Sequence, residues 1–228
     1  MKWLTAVLLV IAAMLAGLLV YRNLKPPALT GGTAIDTPVS LPALKLVNDQ
    51  GKDTTLAASD GRMRLIFYGF VHCPDVCPTT LASLKNTYAG LTPEQQGKVR
   101  VQFISVDPVV DTPNLVRQYL DRFDPQFTGL TGSVENINAA AKTMFVGIVN
   151  NRPSDHMGTD HSTHTAPVPT TANAGNTGLG ASEAAIIHGD QVSVITPDGK
   201  FVRVYNNTEA LDGTLKHDLP ELIREFGS

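Results

Sequence analysis

The stretch Val71-His72-Cys73-Pro74-Asp75-Val76-Cys77-Pro78 holds both cysteines of this 228-residue chain. An apolar run over residues 64–70 leads into it and reads as a buried strand; a helical pattern over 79–89 follows. The chain must therefore place two sulfurs on a strand-to-helix turn. There the first-turn amides and the helix dipole favour thiolate over thiol, so both sulfurs are expected to be reactive and ready to bind a ligand. Four residues on a helix amount to about 400° of rotation, which puts positions i and i+4 on one face. With Cys73 near the N-cap, Pro74 takes the first helical position and Cys77 falls beside Cys73. Such a pair suits a disulfide or a clamp for one soft metal ion. Spacing alone does not choose between them.

The flanking pattern sets the fold class. Runs over 44–47 and 52–56 about Asn48-Asp49-Gln50-Gly51 signal a hairpin. A second strong strand covers 99–106 and ends at Asp107-Pro108; Asp111-Thr112-Pro113 then starts a helix to about residue 123. A weak strand over 127–130 and a helix capped by Ser133 follow. Strands resume over 184–187 and 191–195, Thr196-Pro197-Asp198-Gly199 turns the chain into a strand over 200–205, and an amphipathic helix over 215–226 ends the pattern. This order predicts an α/β domain, a thioredoxin-like mixed sheet flanked by helices with an N-terminal hairpin.

Outside that domain, residues 3–21 are apolar and uncharged, flanked by Lys2, Arg22 and Lys25. They match the roughly 20 residues that cross a bilayer. The expected organisation is a single uncleaved transmembrane anchor over 1–22, a Pro/Gly/Thr-rich linker over 23–39, and one domain over 40–228. A low-complexity insertion at about 150–182 interrupts that domain. The net charge of −3, without a dense basic patch, argues against nucleic-acid binding.

Copper is well served by two thiolates and one imidazole, in either of its common oxidation states. The candidate imidazoles are His72, His156, His161, His164, His188 and His217. His72 adjoins Cys73 on the strand side, where neighbours point to opposite faces, and reads as structural. His217 reads as a solvated residue of the last helix. His188 precedes Gly189-Asp190 at a junction that, in such a sheet, surfaces beside the cysteine turn. Its alternative is an ordinary loop histidine. A closed zinc site normally needs four protein ligands, which this set supplies only if His72 joins.

Phe70-Val71-His72-Cys73-Pro74-Asp75-Val76-Cys77-Pro78-Thr79-Thr80-Leu81 resembles the signature of the Sco/SenC family of copper chaperones for cytochrome c oxidase assembly. So do Ser105-Val106-Asp107-Pro108-Val109-Val110-Asp111-Thr112-Pro113 and Phe123-Asp124-Pro125-Gln126-Phe127-Thr128-Gly129-Leu130-Thr131-Gly132. The resemblance spans about 40–226. It implies copper, as Cu(I) and Cu(II), bound by Cys73, Cys77 and His188, with Asp107 close enough to influence the metal. It also implies delivery to the copper-centre subunit of cytochrome c oxidase, with other copper chaperones and a thiol reductant as further partners. The short apolar anchor and the absence of a transit peptide point to a bacterial inner membrane as the expected location, with the domain in the periplasm. The alternative activity is thiol–disulfide exchange by the redox pair Cys73 and Cys77 on the cysteines of that same oxidase centre. Two departures stand out. The family's Asp-His-Ser triplet is Ile187-His188-Gly189 here, and the insertion, which carries His156, Met157, His161 and His164, is unusually long.

Overall fold

The computed structural model describes residues 2–24, 28–150 and 186–227. The expected insertion and His156, Met157, His161 and His164 lie outside the described residues. At the centre stands β4 (Met63–Gly69), every residue of which is buried. Its near-continuous apolar sequence is what a strand covered on both faces requires. It pairs in parallel with β5 (Val99–Ser105), and β5 in parallel with β6 (Thr128–Thr131). On the other side β4 meets β9 (Val192–Ile195) antiparallel, then β10 (Lys200–Tyr205). The hairpin β2 (Lys45–Asn48) and β3 (Asp53–Thr55) adds to β6, giving the order β1-β10-β9-β4-β5-β6-β2-β3, with β1 being Thr33–Ser40.

Alternation along β4 builds two cores. Met63, Leu65 and Phe67 pack under α2 (Val76–Ala89), α4 (Pro113–Leu120) and α7 (Thr214–Phe226). Ile66 and Tyr68 face α5 (Val134–Thr143). Helices on both faces of a mixed sheet are the expected α/β architecture. Two short helices carried no apolar stripe and escaped the sequence reading: α3 (Pro93–Lys98) and α6 (Asn207–Leu211). Each is held at its start by a capping box, Thr92 with Gln95 and Asn206 with Glu209.

Residues 33–39, expected as linker, instead belong to β1. Its exposed, Pro38-bearing pattern shows no alternation because it is an edge strand, defined by pairing with β10 rather than by burial. The chain just before it is clipped to α7. Asp218, itself buried, accepts from the Thr30 amide (2.9 and 3.0 Å), the Thr30 hydroxyl (2.7 Å), the Gly31 amide (2.9 Å) and the Tyr205 hydroxyl (3.0 Å). Burial by itself would raise this carboxyl; the bonds from His217, Thr30 and Gly31 outweigh it and hold it far below the usual carboxylate range. A depressed carboxylate stabilises the fold fully above its unfolded value near 4, and that contribution is lost as pH falls through the folded value. Asp218→Asn is therefore expected to cost about 2 kcal/mol at neutral pH and to flatten the loss of stability below about pH 4. Urea midpoints measured at neutral and acid pH check both.

The N-terminal apolar stretch forms α1 (Lys2–Leu24), 23 residues long. Among the described residues no helix is long and apolar enough to cross a membrane.

Candidate metal site at the start of the second helix

β4 ends at Gly69, and a turn carries the chain into α2, whose N-cap is Asp75 rather than the expected Cys73. The helix thus begins at Val76, three residues earlier than the pattern over 79–89, and Pro74 lies outside it in the turn. The Cys73 amide donates to the Phe70 carbonyl (3.2 Å), which tightens that turn. Asp75 makes no side-chain cap. The Cys77 amide, a first-turn donor, points at the Cys73 sulfur (3.4 Å). The turn residue's sulfur therefore receives the positive end of the helix.

The two cysteines are not equivalent. Cys73 is partly exposed, whereas Cys77 is fully buried against the β4 core; both are thiols. The Cys77 thiol hydrogen-bonds to Cys73, and this bond, then burial, pushes its pKa well up. The Phe70 amide works in the opposite direction, and the charges of Cys73 and Asp111 add to the rise. For Cys77 the expected easy ionisation is thus corrected. The helix amide serves Cys73, and the hydrogen bond to Cys73, together with burial, holds the proton on its neighbour. The pair meets as predicted, but as a half-exposed sulfur over a closed one.

Gly69 makes that enclosure possible. A Cβ there would stand 2.8 Å from the Cys77 sulfur and 2.7 Å from the Phe103 ring. β5 anchors the other side, with its Val106 amide donating to the Gly69 carbonyl (2.8 Å). Asp107 follows, buried at the strand's C-terminal end on the side of the cysteine turn, with its amide donating to the Ser105 hydroxyl (3.1 Å).

Asp111 fixes the turn itself. It is fully buried, and its Oδ2 accepts from the Val71 amide (3.0 Å) and the Ser105 hydroxyl (2.6 Å). Burial raises its pKa, the two bonds oppose the rise, and Asp107 adds to it. Sequence reasoning took Asp111 as part of a helix start. The available signal was that Thr112, directly before Pro113, suffices as the α4 cap, its hydroxyl accepting from the Leu115 amide, which leaves the preceding carboxylate without a role in the helix. Tyr119 of α4 was also missed. Its hydroxyl is buried without a hydrogen-bond partner among the described residues, and burial, then Cys77 and Cys73, push the phenol up.

His188 ends β8 (Ile186–His188), which pairs with β7 (Ile148–Asn150) in a separate two-stranded sheet, not in the main one. Its backbone sits opposite Ile148, and the Gly189 amide donates to the Gly147 carbonyl (3.1 Å); its side chain lies outside the described residues. Among the described residues no three His, Cys, Asp or Glu side chains are gathered to hold a metal. His72 is exposed, and His217 is exposed on α7, 3.0 Å from Asp218. A cavity of about 690 Å³ opens between the β2–β3 hairpin and the starts of α4 and α5, and neither cysteine lines it.

The SCO1/SenC family model matches residues 35–177, which include both cysteines, Asp107 and Asp111. The chain belongs to this family. It is 36% identical over 196 residues to the mitochondrial SCO1 homolog 1 of Arabidopsis thaliana, covering 86% of this chain and 49% of that protein, so it spans about half of that relative's length. Among solved structures, it resembles apo Sco1 of Thermus thermophilus at 31% identity, covering 84% of this chain and 95% of that one, with a TM-score of 0.62. It also resembles Arabidopsis thaliana ScoI with copper bound, at 26% identity, 87% and 100% coverage and a TM-score of 0.61. The α/β sheet with flanking helices is thus the Sco fold.

Proposed function

We propose that this chain is a copper chaperone that binds the ion through Cys73, Cys77 and His188 and passes it to the binuclear copper centre of cytochrome c oxidase. The observation that carries this reading is the contact between two thiols at a helix start, one half-exposed and one enclosed, in a fold whose Arabidopsis relative has been crystallised with copper. Two sulfurs and an imidazole form a donor set suited to soft Cu(I) and acceptable to Cu(II). Copper is the cargo here, and a site open on the Cys73 side lets an incoming thiolate share it.

The chain's own residues prepare that exchange. Gly69 admits the Cys77 sulfur, the Cys77 amide orients Cys73, and Asp111 holds the turn through Val71. Because Cys77 keeps its proton, binding must release it, and apparent copper affinity rises with pH. Asp107 is proposed to influence the ion from the end of β5. Attachment of the domain to a bacterial inner membrane is proposed from the uncharged, apolar sequence over residues 3–21 alone. Trp3, Leu9, Val10, Met14 and Leu18 are all exposed along it. Residues 1–22 as anchor and the soluble domain on the periplasmic side complete this organisation.

The test is a copper titration of the reduced chain followed by X-ray absorption, with His188→Ala beside the wild type. Two sulfurs and one nitrogen are expected at the metal. The variant should lose the nitrogen and bind Cu(II) at least tenfold more weakly, with the thiolate-to-copper absorption removed. An unchanged spectrum in His188→Ala would remove that ligand from the proposal.

One observation favours a second reading. A half-exposed sulfur beside a buried one is also the arrangement of an attacking and a resolving cysteine. In that reaction the Cys73 thiolate attacks a partner disulfide and releases one partner thiol. Cys77 then displaces the second thiol, leaving an oxidised pair that a thiol reductant restores. Copper binding requires the same reduced pair, so the two activities are compatible.

A further inference from the structure

Near the start of β4 stands a buried charge to which no carboxylate is hydrogen-bonded among the described residues. Arg64 pairs with Arg100 on one side and Ile195 on the other, in the middle of the sheet, and is 2% exposed. Its Nη1 donates to the Leu56 carbonyl (2.9 Å) and the Gln102 side chain (3.3 Å). Its Nε and Nη2 are buried with no hydrogen-bond partner among the described residues. Those two nitrogens form the side-on edge by which a guanidinium grips an anion with two parallel N–H groups. Of the buried hydroxyls without a hydrogen-bond partner among the described residues, two are those of Tyr68 and Ser193. Ser193 sits opposite Ile66, so its side chain shares the sheet face of Arg64, Ile66 and Tyr68.

The local charge count points the same way. Asp60 is the carboxylate that acts on Arg64, and it is already bonded to Arg62 (2.7 Å) and Arg100 (2.5 Å). Asp60 is thus shared among three guanidinium groups, and Asp49, which also acts on Arg100, is already bonded to Arg117 (2.7 Å). Burial lowers the Arg64 pKa to about 10, which leaves the group charged at neutral pH. An unpaired buried charge costs several kcal/mol, and unsatisfied buried donors in a native interior call for a water or an ion.

We propose that the Nε–Nη2 edge of Arg64, with the hydroxyls of Tyr68 and Ser193 on the same face, holds one small inorganic anion of halide size inside the domain. Net positive charge selects an anion over water, and enclosure excludes organic anions. Arg64, Tyr68 and Ser193 lie on the face of the sheet opposite the core that holds Cys77, and Arg64 stands about 17 Å of strand from Gly69, so this site is independent of the copper reading.

The test follows the thermal unfolding of the full chain as chloride rises from about 1 to about 100 mM, with gluconate keeping ionic strength constant. The wild-type midpoint should rise by roughly 5 °C. Arg64→Leu should abolish the dependence while copper stoichiometry stays unchanged. Arg64→Lys, which keeps the charge but loses the two-pronged edge, should weaken it and covers the case in which the leucine variant fails to fold. In crystals soaked with bromide, an anomalous peak should touch Nε and Nη2. A wild-type midpoint indifferent to chloride, or ordered water in place of bromide, overturns the proposal.

Discussion

Cys77→Ser is expected to lower Cu(I) affinity by more than about 100-fold while leaving the domain folded. The oxygen that replaces the sulfur is a hard donor in a site built for soft ones, and the smaller atom still fits the closed pocket beside Gly69 and Phe103. Serine keeps a hydroxyl donor toward Cys73, so the turn and the Cys77 amide bond to that sulfur should survive. The check is a competition titration against a Cu(I) chelator, paired with circular dichroism and a urea midpoint. Wild-type affinity in a folded variant would show that the buried sulfur is not a ligand, and would leave Cys73 to act with other groups. Loss of folding together with binding would be uninformative for serine, and Cys77→Ala then separates the two.

The second large effect is predicted at a residue with no chemistry of its own. Gly69→Ala places a methyl group 2.8 Å from the Cys77 sulfur and 2.7 Å from the Phe103 ring. Both neighbours are fully buried, so neither has open space to move into. Overpacking of this kind costs about 1–3 kcal/mol. The sulfur and the ring must both yield, so copper affinity should fall along with stability. That coupling distinguishes Gly69 from a merely structural glycine: Gly51 and Gly61, where an added Cβ meets nothing within 4 Å, offer no route to the site. Urea midpoints and copper titrations of the same samples read both effects. Unchanged copper affinity in a destabilised Gly69→Ala would mean that the sulfur had not moved.

Much of this architecture is legible in local pattern. The unbroken apolar run before the cysteines can only be a strand covered on both faces, and β4 is that strand. The Asn48-to-Gly51 and Thr196-to-Gly199 turns announce their hairpins through residue types that tolerate tight turns, and Gly51 and Gly199 do adopt positive φ. The meeting of the cysteines, too, was legible in their four-residue spacing, although Cys73 reaches Cys77 from the turn before the helix and not from its N-cap.

Where partners come from far along the chain, pattern was silent. β1 has no alternation to read because only one edge of it is paired, and its place depends on β10, more than 160 residues later. β7, three residues long, leaves too short a trace for periodicity, and β8, which overlaps the strand expected over 184–187, pairs with it in a small sheet of its own. The sequence by itself determined the class of fold, the central strand, and the meeting of Cys73 with Cys77. Tertiary structure alone decided that Cys77 is enclosed and Cys73 open, that Gly69 makes the room, and that Asp111 ties the turn to β5. The reason is physical: periodicity and spacing report on neighbours within a turn or two, whereas burial and proton affinity depend on atoms that only the folded chain brings near.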